Sequence, residues 1–183
     1  MIDIDEFREL KPKFDYVTYQ LEPFVNVSEK YKKMLPNFPE CVLEQWTYRH
    51  FDDFCNKYWW IQYDRLVFNK VLFSREQIMS IGTAFLDTQD YWGDDFINNP
   101  EFRVKQTWLG GFMNENRTWL KPVIVFDVNN SIIDEEKELK YGKLIRPLHL
   151  LEGHMRLAYM RALIRYSISG VPDKHYVWLV KRQ

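Results

Sequence analysis

The sequence predicts a mixed α/β protein: a mainly helical N-terminal part packed on a small mixed sheet with a crossover helix. Three observations carry this. Leu43, Trp46, His50, Phe54 and Tyr58 recur at three- and four-residue spacing, the period of one helix face. Pro122-Val123-Ile124-Val125-Phe126-Asp127-Val128 is a short, β-branched apolar run of buried-strand type. After it the chain reads strand, glycine turn, amphipathic helix, strand. Such a passage makes a right-handed crossover where its two strands are parallel.

Each element has its local signals. Pro12, Pro23 and Pro36 break residues 1–38 into an irregular arm with at most short helices, one of which Ser28 to Tyr31 would open. A long helix is expected from Pro39-Glu40, since proline suits a first helical turn and glutamate the positive end of the dipole. Phe51, Cys55 and Trp59 add a second apolar face, so this helix should be covered on more than one side, continuing less cleanly to Lys70. Ser74-Arg75-Glu76-Gln77 has the capping-box form and predicts a helix over 75–86.

Residues 87–118 contain Gly93, Asn98-Asn99-Pro100 and Gly110-Gly111 and read as a connection, held down by aromatics such as Trp92, Phe96 and Trp108. Asn129-Asn130 is a turn, and Asp134 to Lys140 a solvated loop or short helix. Leu144 to Leu151 is a second strand, with Pro147 near an end or edge. A helix over 155–167 presents Leu157, Met160, Leu163, Ile164 and Ser167 inward. Gly170, Pro172 and Asp173 stop it, and His175 to Val180 is the last strand. The chain is thus read as an aromatic-rich helical region, 1–118, and a C-terminal module, 119–183, or as one compact unit of both.

A length of 183 residues fits one domain, or one with an extension. With 46% hydrophobic and 28% charged residues the composition is globular, and 17% aromatics supply large rings for a core. A net charge of -1 argues against a generally basic nucleic-acid surface. Cys41 and Cys55 belong to no C-x-x-C pair, so two reduced, largely buried thiols are expected, not a zinc site. The acidic start, Met1 to Glu6, has no apolar signal core, and no apolar stretch is long enough for a membrane span. A cytoplasmic protein without membrane contact is expected. P-loop, nucleophile-elbow and His-Glu-x-x-His motifs are absent.

The chemistry concentrates at Glu152-Gly153-His154-Met155-Arg156, where a strand ends and a helix begins. Gly153 can turn sharply and let an anion approach the backbone. The amides of His154, Met155 and Arg156 are first-turn donors without a helical acceptor, and together with the positive helix end they suit phosphate. Arg156 adds a planar fork matched to phosphate oxygens, and His154 a group of the type that titrates near neutrality. Glu152 is a candidate for orienting His154, taking a proton, or holding a metal through oxygen. The alternative is structural: Gly153 closes a turn, Glu152 caps the helix, and His154 and Arg156 pair with carboxylates.

Leu150 to Ala158, then Met160-Arg161-Ala162-Leu163 and the strand from Tyr176 to Val180, resemble the ParB/sulfiredoxin-like superfamily, with Pro122 to Val128 similar to its entry strand. The likeness covers residues 119 to 181. It implies a nucleotide phosphate held by the Gly153 turn, the Met155 amide and Arg156, with His154 and Glu152 as catalytic candidates. It also implies a nucleoside triphosphate with Mg²⁺ as cofactor. Members bind or hydrolyse CTP, use ATP as kinases, or reduce overoxidised peroxiredoxins. Sulfiredoxins carry a reactive cysteine where this chain has His154, so that reductase chemistry is not expected. The partitioning proteins carry an arginine pair where Met155 replaces the first member. No helix-turn-helix follows before Gln183, so DNA clamp loading is not expected. In Gly-His-His-Arg members Met155 would be the second histidine.

Other candidates read as structural. His50 sits on an apolar helical stripe, which predicts a hydrogen-bonded core histidine, although Arg49 and Asp53 are near enough in sequence to form a cleft with it. His149 and His175 fall in strands as satisfied polar groups. Asp127, at a strand end, could face the same site. Two functional classes remain. One is a nucleotide- or phosphate-binding protein, with phosphoryl transfer or nucleotide hydrolysis as its enzymatic form. The other is a non-catalytic interaction factor (phage-defence, prophage or toxin-neutralising) that binds a protein partner through its aromatic N-terminal region.

Overall fold

The computed structural model describes residues 3–84 and 86–183; Met1, Ile2 and Phe85, and the side chain of Leu139, lie outside that description. The helix expected over 75–86 stops at Met79, and Gly82 bridges to His149 beyond it. Along the chain come α1 (Ile4–Arg8), the short strands β1 (Phe14–Asp15) and β2 (Gln20–Leu21), α2 (Phe24–Met34) and α3 (Glu40–Val42). A π-helical turn, Leu43–Tyr48, leads to α4 (Phe51–Lys57), and two 3₁₀ turns, Trp59–Ile61 and Tyr63–Arg65, lead to β3 (Leu66–Ser74). Then come α5 (Arg75–Met79), α6 (Leu86–Asn98), α7 (Pro100–Arg103), α8 (Trp108–Asn116) and β4 (Ile124–Asp127). The chain ends with α9 (Glu135–Tyr141), β5 (Leu148–Glu152), α10 (His154–Arg165) and β6 (Lys174–Arg182). No helix among the described residues is long and apolar enough to cross a membrane.

The chain divides into two compact units that interleave in sequence. One comprises 1–68, 130–144 and 180–183, the other 69–129 and 145–179. The first is built on rings. Phe7, Tyr31, Phe38, Trp46, Phe51, Phe54 and Tyr63 are all buried, with Phe54 stacked on Tyr63 at 3.9 Å and edge-on to Trp46 at 5.0 Å between centroids. Burial pushes the Cys55 thiol up to about 11, so it is an inert core group; Cys41 is half-buried.

The long helix expected over 40–70 is interrupted. The π turn inserts extra backbone per turn and shifts the phase of the residues after it. Phe51, Phe54 and Cys55 therefore face the core, while His50, at the break, is exposed and not a core histidine. Beyond Tyr58 the expected helix gives way to the two 3₁₀ turns, and its last five residues, from Leu66, belong to the strand β3.

The second unit holds the helices α6, α7 and α8 where a connection was expected. Gly93 lets α6 lie close against α10: a Cβ there would stand 2.8 Å from the Ala158 carbonyl and 3.1 Å from the Ala162 methyl. Phe96 stacks on Tyr159 at 4.3 Å beside that contact. Consequently α10 is covered almost all round: Arg156 to Leu163 are buried without a break, Ile164 is half-buried and Ser167 is exposed, outside the expected inner face.

The four-stranded mixed sheet has the order β3-β6-β4-β5. The chain thus leaves β5, runs through α10 and returns as β6 on the far side of β4. β4 and β5 are antiparallel, with Ile124 opposite Glu152 and Asp127 opposite Leu148. Gly82 seals the other edge of β5, its N–H donating to the Leu148 carbonyl at 2.7 Å and its carbonyl accepting from the Leu150 N–H at 2.9 Å.

Candidate functional site

The glycine turn read in the sequence stands between β5 and α10. Gly153 is the N-cap of α10 at φ 103°, a conformation that L side chains rarely adopt. Its backbone also lies against β4, so that a Cβ would stand 2.6 Å from Val123 Cγ1. Helical bonding begins with the Leu157 N–H donating to the Gly153 carbonyl at 2.9 Å. The three preceding amides have no acceptor inside the helix, as at any helix start. His154 and Met155 are half-buried at the mouth of the turn.

Arg156 points inward. It is 8% exposed and Glu152 is 9% exposed. One guanidinium nitrogen, Nη1, donates to the Lys121 carbonyl at 2.6 Å and reaches the Pro122 carbonyl at 3.4 Å, while Nη2 donates to Glu152 Oε2. The pair ties the end of β5 to the segment entering β4 and locks the first turn of α10 between them. The four-residue spacing of Glu152 and Arg156 is the sequence signal for this ion pair. The carbonyls of Lys121 and Pro122 carry no such signal, since backbone acceptors do not depend on residue type.

Among the described residues no three His, Cys, Asp or Glu side chains come together to hold a metal ion. With Glu152 paired to Arg156, the site residues do not fit a protein-held Mg²⁺. Asp127 stands at the opposite end of the β4–β5 ladder from Glu152. Three residues along a strand separate it from Ile124 by about 10 Å, so it does not share the site.

The strand histidines are structural. His149 is buried, and its Nδ1 accepts from the Ile145 N–H at 3.1 Å. His175 is buried with Nδ1 2.9 Å from Thr118 Oγ1, and Trp119 beside it donates its indole N–H to the Tyr176 carbonyl at 2.8 Å. Burial pushes the His175 imidazole below its ordinary value. The unfolded chain, with a histidine near pH 6.5, then takes up a proton that the folded protein refuses. Its stability contribution is complete above about pH 6.5 and is lost as the pH falls towards the folded value. Urea midpoints should drop between about pH 7.5 and pH 5, and His175→Asn should flatten part of that slope. Parallel slopes in both proteins would remove His175 from the account.

Set against protein-family models, curated proteins and solved structures, the chain matches none.

Proposed function

We propose that the chain binds a phosphate-bearing ligand, a nucleotide in the first instance, at the turn between β5 and α10. The observation that carries this reading is the left-handed Gly153 at a strand-to-helix junction, its backbone pressed on Val123 and followed by first-turn amides. The amides of His154 and Met155 meet phosphate oxygens, and the His154 side chain is the half-exposed partner beside them. Arg156 acts from beneath, holding Glu152 and lending positive charge to the turn. Any phosphoryl transfer draws on His154 as acid or base, with Mg²⁺ arriving on the nucleotide's own phosphates.

Calorimetric titration with ATP, CTP and GTP in the presence of Mg²⁺ tests the reading. At least one should give saturable heat, and His154→Ala should weaken it by about tenfold, or about 1.4 kcal/mol. A folded protein that gives no heat with any of them, or the same affinity in both forms, defeats the site. The first outcome would favour the rival reading as an interaction factor. One observation supports that rival: the β1–β2 hairpin exposes Tyr16, Val17 and Tyr19 at 79%, 88% and 79%.

A further inference from the structure

The hairpin of β1 and β2 lies open to solvent and is yet held in shape. Its strands form a two-stranded sheet of their own, with Phe14 opposite Leu21 and Asp15 opposite Gln20, and all four residues are exposed. Asp15 orders the turn. Its Oδ1 accepts from the Val17 N–H at 2.7 Å and the Thr18 N–H at 3.3 Å, and its Oδ2 from the Thr18 hydroxyl at 2.8 Å. Tyr19 completes the turn in the left-handed region at φ 56°. The turn carries Tyr16, Val17 and Tyr19 outward, and the Phe14 ring meets Tyr16 edge-on at 5.0 Å between centroids. A two-stranded hairpin is marginal in water without a packed face. Apolar side chains set in place before they are covered are what a docking surface presents.

At the base of the same hairpin is a hollow of about 190 Å³ with apolar walls, Pro12, Leu21, Tyr48 and Phe51. The Tyr48 hydroxyl donates to the Glu22 carbonyl, which ties its ring to the end of β2. Charges on the rim are matched within the chain: Lys11 with Asp52 at 2.7 Å, and Asp53 with Lys57 at 3.0 Å. A charged occupant therefore gains little there, whereas an uncharged one with rings buries apolar surface. The hairpin tip is of that kind, for no charge falls between Asp15 and Glu22. Val17 and Leu21 are separated by four residues, at most about 14 Å of chain. A two-fold axis passing between tip and hollow brings each tip to the partner's hollow. Phe14, Tyr16, Val17, Tyr19 and Leu21 together expose on the order of 600 Å², taking about 150–250 Å² for a whole aromatic side chain. With the hollow added, this approaches the roughly 800 Å² per partner of a standard interface.

We propose that a second copy of this chain covers the hairpin, the two copies related by a two-fold axis, with the tip of each, residues 16–19, seated in the hollow of the other. A partner shaped only for the tip leaves the hollow empty; a second copy fills both. The interface is independent of the phosphate reading, whose turn belongs to the other unit.

Sedimentation equilibrium of the whole chain tests this over roughly 5 to 500 µM. The mass should rise from 22.4 kDa and level off at twice that value. Val17→Asp, at the most exposed of these side chains, should weaken association at least about tenfold by placing an unpaired charge against the apolar hollow. His50→Trp, at an exposed position on the hollow's rim, should weaken it similarly by filling the space, with circular dichroism showing both variants folded. An equimolar mixture of the two variants keeps one tip and one hollow intact, and should form more dimer than either variant alone. Four results overturn the proposal: a mass of 22.4 kDa throughout, a climb past the dimer without levelling, unchanged association in either variant, or no gain on mixing.

Discussion

Replacing Arg156 with methionine is expected to destabilise the fold by about 3–5 kcal/mol, the range for removing one partner of a buried ion pair. Three groups lose their donor at once: the Glu152 carboxylate and the carbonyls of Lys121 and Pro122. Glu152 is buried, so its carboxylate gains little water in exchange. Part of this loss belongs to the stranded carboxylate, not to the bond itself. Arg156→Met combined with Glu152→Leu should therefore recover a large share, while the two carbonyls keep the double variant below the wild type by about 1–3 kcal/mol. Urea unfolding monitored by circular dichroism reads all four corners of the cycle. An Arg156→Met protein as stable as the wild type would mean that the guanidinium lies in solvent, free for a ligand.

That brace bears on function as well as stability. A phosphate ligand is best served by donors already in place before it arrives. Arg156 fixes where the first turn of α10 begins, and Gly153 fixes which way its amides face. The charge of the guanidinium is partly offset by Glu152, so in the proposed phosphate reading the amides and His154 are the direct contacts. This division of labour is why His154→Ala tests binding cleanly, whereas a change at Arg156 mixes binding with folding.

Much of the C-terminal part was legible because its signals are local. The β-branched run at 122–128, the glycine at 153 and the apolar spacing beyond it name β4, the turn and α10 without reference to anything distant. The capping box at Ser74 is formed as read, with Gln77 reaching back to the Ser74 amide. The N-terminal part resisted for the opposite reason. Between Trp59 and Leu66 no glycine or proline marks the change from helix to strand; the left-handed position falls on Gln62, and β3 was absorbed into a helical pattern. The phase shift at the π turn turned His50 outward, although its spacing from Trp46 and Phe54 matches a core stripe. Gly93 lies in the stretch that the sequence predicts as a connection, and glycine costs a helix about 1 kcal/mol. Its contact with Ala158 and Ala162, which offsets that cost, is tertiary and has no local signature. At the site, the turn and its first-turn donors were readable, and so was the Glu152–Arg156 spacing. The direction of Arg156 was not, because it is set by carbonyls some 35 residues earlier in the chain.

Gly153→Ala should be the most telling single change at the site. Two penalties apply. Holding alanine at φ 103° costs about 1–2 kcal/mol as a left-handed backbone. Forcing its methyl against Val123 Cγ1, 2.6 Å away, adds about 1–3 kcal/mol of overpacking. The two can be separated. In a Val123→Ala background the methyl has room, so the same glycine change should cost less by the packing share, while the backbone share remains. If the cost is the same in both backgrounds, the close approach to β4 is not what requires glycine. The ligand supplies an independent reading: a backbone that relaxes away from φ 103° re-aims the amides of His154 and Met155, so nucleotide affinity should fall in Gly153→Ala under conditions where the protein is still folded. Lost stability with unchanged affinity would leave a well-packed turn and no cradle.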